Sequence, residues 1–295
     1  MPRFSEYTLN NWRMPPSNSE EIKLANSQRL VKDAIDSDSQ LNKFTIEIFG
    51  QGSYANDTNV RLDSDVDINV RLADTIFIEL PDGKKQEEFG YSDSNYTFSE
   101  YKNSIYNALV KKFGQPDVVR NDKCITVKGN AYRVITDVVP TFKLIRHDEN
   151  GVKHLGSKFI SDSGIAITNY SLQHIENGKL KNAATQKRFK RLTRIYRRVR
   201  YKMAEEEYCE NKNITSFLLE CLVFNVPNKI FNNYDTWLER VKQSIVNLFN
   251  QTKEDEKCKD WGEVSELLYL FRGARKWTIK DVNEYLIKMW NYFEF

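Results

Sequence analysis

The chain has 295 residues, 44 Lys plus Arg against 41 Asp plus Glu, a formal charge of +3, and 40% hydrophobic residues. That length buries a substantial core, as one large domain or two joined lobes, and the charge is uneven, basic over 187–202 and acidic around 63–67 and 205–210, which fits a local polyanion site better than a general nucleic-acid coat. Four cysteines without a CxxC pair (Cys124, Cys209, Cys221, Cys258) suggest neither a zinc knuckle nor a disulfide framework. With no apolar leader and no apolar run of about 20 residues, the expectation is a soluble cytoplasmic protein with no membrane association.

After a polar start containing Pro15 and Pro16, Ile22, Leu24, Leu30, Val31 and Ala34 recur at helical spacing and predict an amphipathic helix over residues 19–35. Residues 44–49 alternate like a strand and stop at Gly50-Gln51-Gly52, with a short helical turn expected from Ser53. Residues 66–72, 124–127 and 131–139 read as further strands, the last ending at Pro140, and the charged segment 81–95 reads as an exposed hairpin or loop. From Ser171 the pattern turns helical. Helices are expected over 182–207, 214–224, 234–249, 264–271 and 279–292, giving a sheet-bearing core over 1–165, with the amino-terminal helix, and a helical lobe over 166–295.

Residues two apart on a strand share a face, so Asp65 and Asp67 point one way while Val66 and Ile68 face the core. Asp137 lies in the apolar strand Val134-Ile135-Thr136-Asp137-Val138-Val139, where a charge is costly unless that face meets solvent, a partner or a cation. If the two strands are neighbours, three acids converge. Such a triad can hold two magnesium ions about 3.5–4 Å apart, one activating a hydroxyl and one stabilising a leaving pyrophosphate; manganese is the alternative ion. Gly52 and Ser53, at the start of the short helix, offer N–H groups and a hydroxyl to phosphate oxygens, and Gln51 adds a side-chain donor. Asp63, just before Ser64, is read as turn chemistry. An Asp-x-Asp pair alone is common at solvated strand ends; the order of turn, pair and later apolar-strand acid is what points to a nucleotidyltransferase.

Gly50-Gln51-Gly52-Ser53-Tyr54-Ala55 also fits the loose dinucleotide-binding pattern GxGxxG/A. A parallel crossover needs an apolar helix that the polar stretch after Ser53 does not supply. In residues 187–203, Phe189, Leu192, Ile195, Tyr196, Val199 and Met203 form a packing stripe and leave Lys187, Lys190, Arg194 and Arg198 on another, where one cation can meet a triphosphate. Arg197 and Arg200 are assigned to a solvated or nucleic-acid-facing surface.

Together these residues resemble the DNA polymerase beta-like nucleotidyltransferase superfamily, and within it the bacterial cyclic-oligonucleotide synthases called CD-NTases. The resemblance is carried by Gln51-Gly52-Ser53-Tyr54-Ala55, Ser64-Asp65-Val66-Asp67 and Asp137. It continues through His174-Ile175-Glu176-Asn177-Gly178, Lys181-Asn182, Thr185, Phe189-Lys190-Arg191 and Ser216-Phe217-Leu218-Leu219-Glu220-Cys221. It implies an α+β fold: a polymerase-beta-like core with a mixed sheet, plus a carboxy-terminal helical lobe completing the active site of a cage-like monomer. By the same resemblance Asp65, Asp67 and Asp137 are catalytic metal ligands, Gln51, Gly52 and Ser53 contact donor phosphates, Lys190 and Ser216 complete the triphosphate grip, and Asn169 contacts the base. His174 is assigned a structural role. One departure is Asn56-Asp57 before Thr58, where the family often has glycine; Asp tolerates unusual backbone angles.

The implied activity is synthesis of a cyclic di- or trinucleotide messenger from nucleoside triphosphates, with pyrophosphate release, in bacterial antiphage signalling through a separate effector protein. The enzyme alternative is a nucleotidyltransferase acting on RNA, protein or a small molecule. The alternative of another class is a nucleic-acid-binding module using residues 187–202, against which the acid triad argues.

Overall fold

Alternation puts Val66, Ile68, Val70 and Leu72 on one side of a strand and Asp67, Asn69 and Arg71 on the other, and this division organises the sheet. The computed structural model describes residues 1–15, 18–60 and 65–295, without the side chains of 18–21, 23 and 24. Pro16, Asp63, Ser64 and the side chain of Leu24 therefore lie outside the described residues.

The strands are β1 (Ile46–Gln51), β2 (Val66–Glu79), β3 (Val118–Arg120), β4 (Ile125–Val127), β5 (Thr136–His147), β6 (Lys153–Ile160) and β7 (Ala166–Asn169). The helices are α1 (Glu6–Trp12), α2 (Asn18–Asp36), α3 (Gly52–Ala55), α4 (Phe98–Phe113), α5 (Ser171–Ala184) and α6 (Arg188–Glu205). They continue as α7 (Ser216–Asn225), α8 (Asn228–Asn232), α9 (Trp237–Thr252), α10 (Asp255–Cys258) and α11 (Ile279–Phe293).

Two units divide the chain. One comprises Ser17–Tyr54 and Arg61–Ser171, and the other Met1–Pro16, Ala55–Val60 and Leu172–Phe295. The later boundary thus falls at 171/172 rather than 165/166, and Met1–Pro16, expected with the sheet, belongs with the helices.

The sheet unit has strand order β1-β2-β5-β4-β3, with β6 paired to β5 and β7 to β6. Only the β2–β5 pairing is parallel among those described, so the sheet is mixed. The antiparallel β1–β2 pairing removes the dinucleotide-binding alternative, which needs a parallel crossover. α2 and α4 cover the apolar face: Val31, Ala34 and Ile35 join Tyr101, Ile105 and Leu109 against Ile68, Val70 and Val138. Each fully buried large side chain there contributes about 1.5–3 kcal/mol. Ile22, expected on the packed stripe, is exposed.

β5 runs through Pro140 to His147, beyond its expected end. β4 pairs with it over residues 136–138 and β6 over 142–147, so residues 139–141 are paired on the β2 side alone, a place that tolerates a residue lacking an N–H. β2 likewise continues past Leu72, after a register shift between Leu72 and Ile76. α4 starts at a capping box in which Thr97 Oγ1 accepts from the Glu100 N–H at 3.2 Å and Glu100 accepts from the Thr97 N–H at 2.8 Å.

The helical unit buries Phe189, Leu192, Ile195, Tyr196 and Val199 of α6 against α7, α9 and α11. α1 belongs to this core through Leu9, and Glu6 accepts hydrogen bonds from the Trp237 and Leu238 N–H groups at the start of α9. Residues 264–271 are not helical as expected. Hydrogen bonds from Glu263 N–H to Leu268 O and from Leu270 N–H to Trp261 O fold them into a tight turn, with Val264 and Leu270 buried and Glu266 at φ 57°.

Candidate active site

The register across the sheet builds a polar row. Gln51 of β1 lies opposite Asp67 of β2, Asp67 opposite Asp137 of β5, and Asp137 opposite Thr126 of β4. Cross-strand partners share a face, so the row lies on the side away from α2 and α4. Thr126 Oγ1 accepts from Asn121 Nδ2 at 2.8 Å and donates to Asp137 Oδ1, which fixes that carboxylate's orientation. Gln51 Oε1 accepts from Asn69 Nδ2 at 3.1 Å and Ser171 Oγ at 3.2 Å, which leaves the amide NH2 as its donor end.

Gly52 follows Gln51 directly, at φ 67°. A Cβ at this position would stand 2.2 Å from Asp67 Oδ2, so the turn presses its backbone onto the Asp67 carboxylate. Ser53 is next, half-buried in the one-turn α3.

Asp65 sits at the solvent rim, yet its carboxyl is raised above the ordinary aspartate range, first by partial withdrawal from water and then by the charge of Asp137. The Cys124 thiol is pushed up to about 11 by burial and by that same charge. Negative charge thus accumulates where β2 and β5 begin. The donors there are all carboxylate oxygens, the chemistry that suits a hard divalent cation. Among the described residues no three acidic, histidine or cysteine groups are drawn close enough to enclose an ion.

Asn169 ends β7 opposite Ser157, half-buried. Gly156 makes room for its neighbour: a Cβ there would lie 2.9 Å from the Tyr170 ring and 3.1 Å from Asn169 O. Arg146 stacks over Tyr170 at 5.2 Å.

In the helical unit, Lys190 of α6 is largely buried, with its ammonium 4.0 Å from Asp57. Burial lowers its pKa, partly offset by Asp57 and Glu220. Ser216, first residue of α7, shares a 3.4 Å hydrogen bond with Tyr201 OH. Lys190 and Tyr201 are about 16 Å apart along α6, while the Glu220 charge that acts on Lys190 lies one turn from Ser216 on α7.

Asp57 adopts φ 54°, the unusual backbone expected where glycine is replaced. Arg194 compensates by donating to both Asp57 O and Oδ1, at 2.8 and 2.6 Å. Arg197, expected on the surface, is buried and donates to Thr58 Oγ1 at 3.2 Å. Thr58 in turn donates to Glu220, which also bonds His174 Nε2, each at 3.0 Å. His174 thus has a structural partner.

Burial acts to raise the Glu220 pKa, but His174, Arg197 and Thr58 outweigh it and hold the carboxyl below its ordinary 4.5. A lowered folded-state pKa contributes stability that is present above the unfolded value and lost as pH falls through the folded one. Glu220→Gln leaves Arg197 without its buried counter-charge and is expected to cost about 3 kcal/mol near neutrality. Denaturant unfolding between neutral pH and about pH 3 should show that difference shrinking below the ordinary glutamate range; a constant difference across the range would dismiss the ionic role.

Thr126 and Glu220 are among the residues here whose roles sequence reasoning passed over. Both had a signal: a hydroxyl between buried Ile125 and Val127, and a charge inside the apolar run 218–223.

A mixed sheet that sets a glycine turn and paired carboxylates on adjacent strands, accompanied by a helical unit, is the architecture of a polymerase-beta-like nucleotidyltransferase. The family described as the cGAS/DncV-like nucleotidyltransferase C-terminal helical domain matches residues 176–294. Over the whole of both chains, the sequence is 58% identical to the cyclic dipyrimidine nucleotide synthase CdnE of Cecembia lonarensis. It is 36% identical, over 98% of each chain, to the cyclic dipurine nucleotide synthase of Elizabethkingia meningoseptica. The solved CdnE cyclic dinucleotide synthase of Elizabethkingia meningoseptica, with GTP and Apcpp, superposes with a TM-score of 0.84 at 33% identity, covering 99% of this chain and 100% of that one. The chain belongs to the bacterial CD-NTase family of nucleotidyltransferases. Among the described residues no helix is long and apolar enough to cross a membrane.

Proposed function

We propose that this chain joins two pyrimidine nucleoside triphosphates into a cyclic dinucleotide. A ribose hydroxyl of one nucleotide attacks the α-phosphate of the other, pyrophosphate leaves, and the linear intermediate closes by a second attack of the same kind. The observation that carries the chemistry is the register setting Asp67 beside Asp137. The pyrimidine choice rests on the relative at 58% identity, a cyclic dipyrimidine nucleotide synthase.

Asp65, Asp67 and Asp137 would hold magnesium, or manganese, which when bound lowers the pKa of an attacking hydroxyl and neutralises developing phosphate charge. Gly52 N–H, Ser53 and the Gln51 amide are the proposed donor-phosphate contacts. Asn169 is the proposed base contact, its amide matching both donors and acceptors on a base edge. Lys190 and Ser216 are proposed as further nucleotide contacts on the resemblance alone. The protein acts as a monomer in the cytoplasm, and its product is the diffusible signal of an antiphage response, read by a separate effector.

Incubation with the four nucleoside triphosphates and magnesium tests this. The expected product is a phosphatase-resistant cyclic dipyrimidine nucleotide, identified by mass spectrometry. A cyclic dipurine product, as the 36% identical relative's name describes, would overturn the pyrimidine choice and keep the cyclase; linear extension alone would overturn both.

A further inference from the structure

α9 and α11 pack side by side in opposite directions. Asn283, early in α11, donates to Phe249 O and Thr252 Oγ1 late in α9, at 3.1 and 3.0 Å. At the other end, Lys242 lies 6.0 Å from the Trp290 ring and 5.7 Å from that of Phe295. Between the two helices lies a cavity of about 420 Å³, lined by Ile245, Val246, Phe249, Leu286, Ile287 and Trp290. All six are apolar, and Ile287 is 43% exposed. None belongs to the proposed nucleotide site.

The α9 edge of the groove carries two cations. Lys242, Val246 and Phe249 of α9 and Lys253, its C-cap, recur at four-three-four spacing and form one stripe, with an apolar centre and a cation towards each end. Lys253 Nζ lies 4.6 Å from the Phe249 ring. Each lysine is thus held over an aromatic face, and among the described residues neither has a carboxylate in ion-pair contact. The two positions are about 16 Å apart, three helical turns.

We infer that this groove docks an amphipathic helix of a partner protein, about three turns long, with an apolar face and acidic residues at both ends. The apolar floor supplies burial, and the two lysines set register through charge complementarity. A two-fold copy of the same surface fits poorly, because an antiparallel arrangement of the stripe lays lysine ends on lysine ends. A single-headed fatty acid answers one cation and leaves the other unmatched.

The test uses the full chain and a synthetic helical peptide of about four turns, with leucines on one face and glutamates at both ends. Its counterpart ends in lysines. Trp290 reports occupancy through its fluorescence, and loss of the change in Trp290→Phe assigns the signal. The glutamate peptide is expected to bind saturably and the lysine peptide not to bind. In the double variant Lys242→Glu, Lys253→Glu the glutamate peptide should weaken by about tenfold or more, while the lysine peptide gains binding. Pyrophosphate release by that variant should be unchanged, which also shows that it is folded. Equal binding of the two peptides, or of neither, overturns the inference. So does saturation by decanoate with no response to the glutamate peptide, or self-association of the chain that Ile287→Asp abolishes.

Discussion

Asp67→Asn is expected to lower pyrophosphate release from nucleoside triphosphates by about a thousandfold or more while leaving the fold intact. Asp67 occupies the middle of the row, between Gln51 and Asp137, and Gly52 presses on its carboxylate. Asparagine keeps the shape and removes the charge, so the loss reads out electrostatics rather than packing. The core is insulated from the change, because Val66 and Ile68 point to the opposite face. Stability should change little, since asparagine matches aspartate closely in size and shape. Steady-state pyrophosphate release and thermal unfolding, measured together, decide the matter. Undiminished turnover in a folded variant would remove Asp67 from the metal-ligand assignment.

How much of this was legible in the sequence depends on whether the signal was local. β1 and the start of β2 follow from alternation, and the Gly52 turn from two glycines after a strand. That Asp67 stands beside Asp137, however, is a fact of register between strands 70 residues apart in sequence, which no local pattern encodes. Pro140 read as a strand end because proline lacks a donor; only the gap between the β4 and β6 pairings makes it harmless. Residues 264–271 carried helix-like apolar residues, but Gly262 and the positive φ of Glu266 belong to a turn.

α4 went unread despite its capping box and the spacing of Tyr101, Ile105 and Leu109. Arg197 read as surface because arginine is rarely buried without partners, and its partner, Thr58, lies far away in sequence. The buried charge of Glu220 obeys the same logic from the other side. A carboxylate inside an apolar helix demanded cations and donors, and residues 174, 58 and 197 supply them.

Gly52→Ala carries the other large expected effect, because it tests the turn and the metal-ligand carboxylate in one substitution. Two costs arise there. The backbone at φ 67° disfavours any side chain, by about 1 kcal/mol or more. The new methyl would also stand 2.2 Å from Asp67 Oδ2, and that atom must then move. A carboxylate displaced by about 1 Å from a reacting centre is expected to cost roughly a hundredfold in kcat/KM. Gly83→Ala separates the two costs. Gly83 has φ 77° but nothing within 4 Å of its would-be Cβ, so that variant carries the backbone strain alone. Thermal unfolding should fall for both variants, and pyrophosphate release should collapse only for Gly52→Ala. Equal activity in the two would mean that the turn's approach to Asp67 does not matter to the reaction, and the phosphate-and-metal reading of residues 51–67 would lose its physical link.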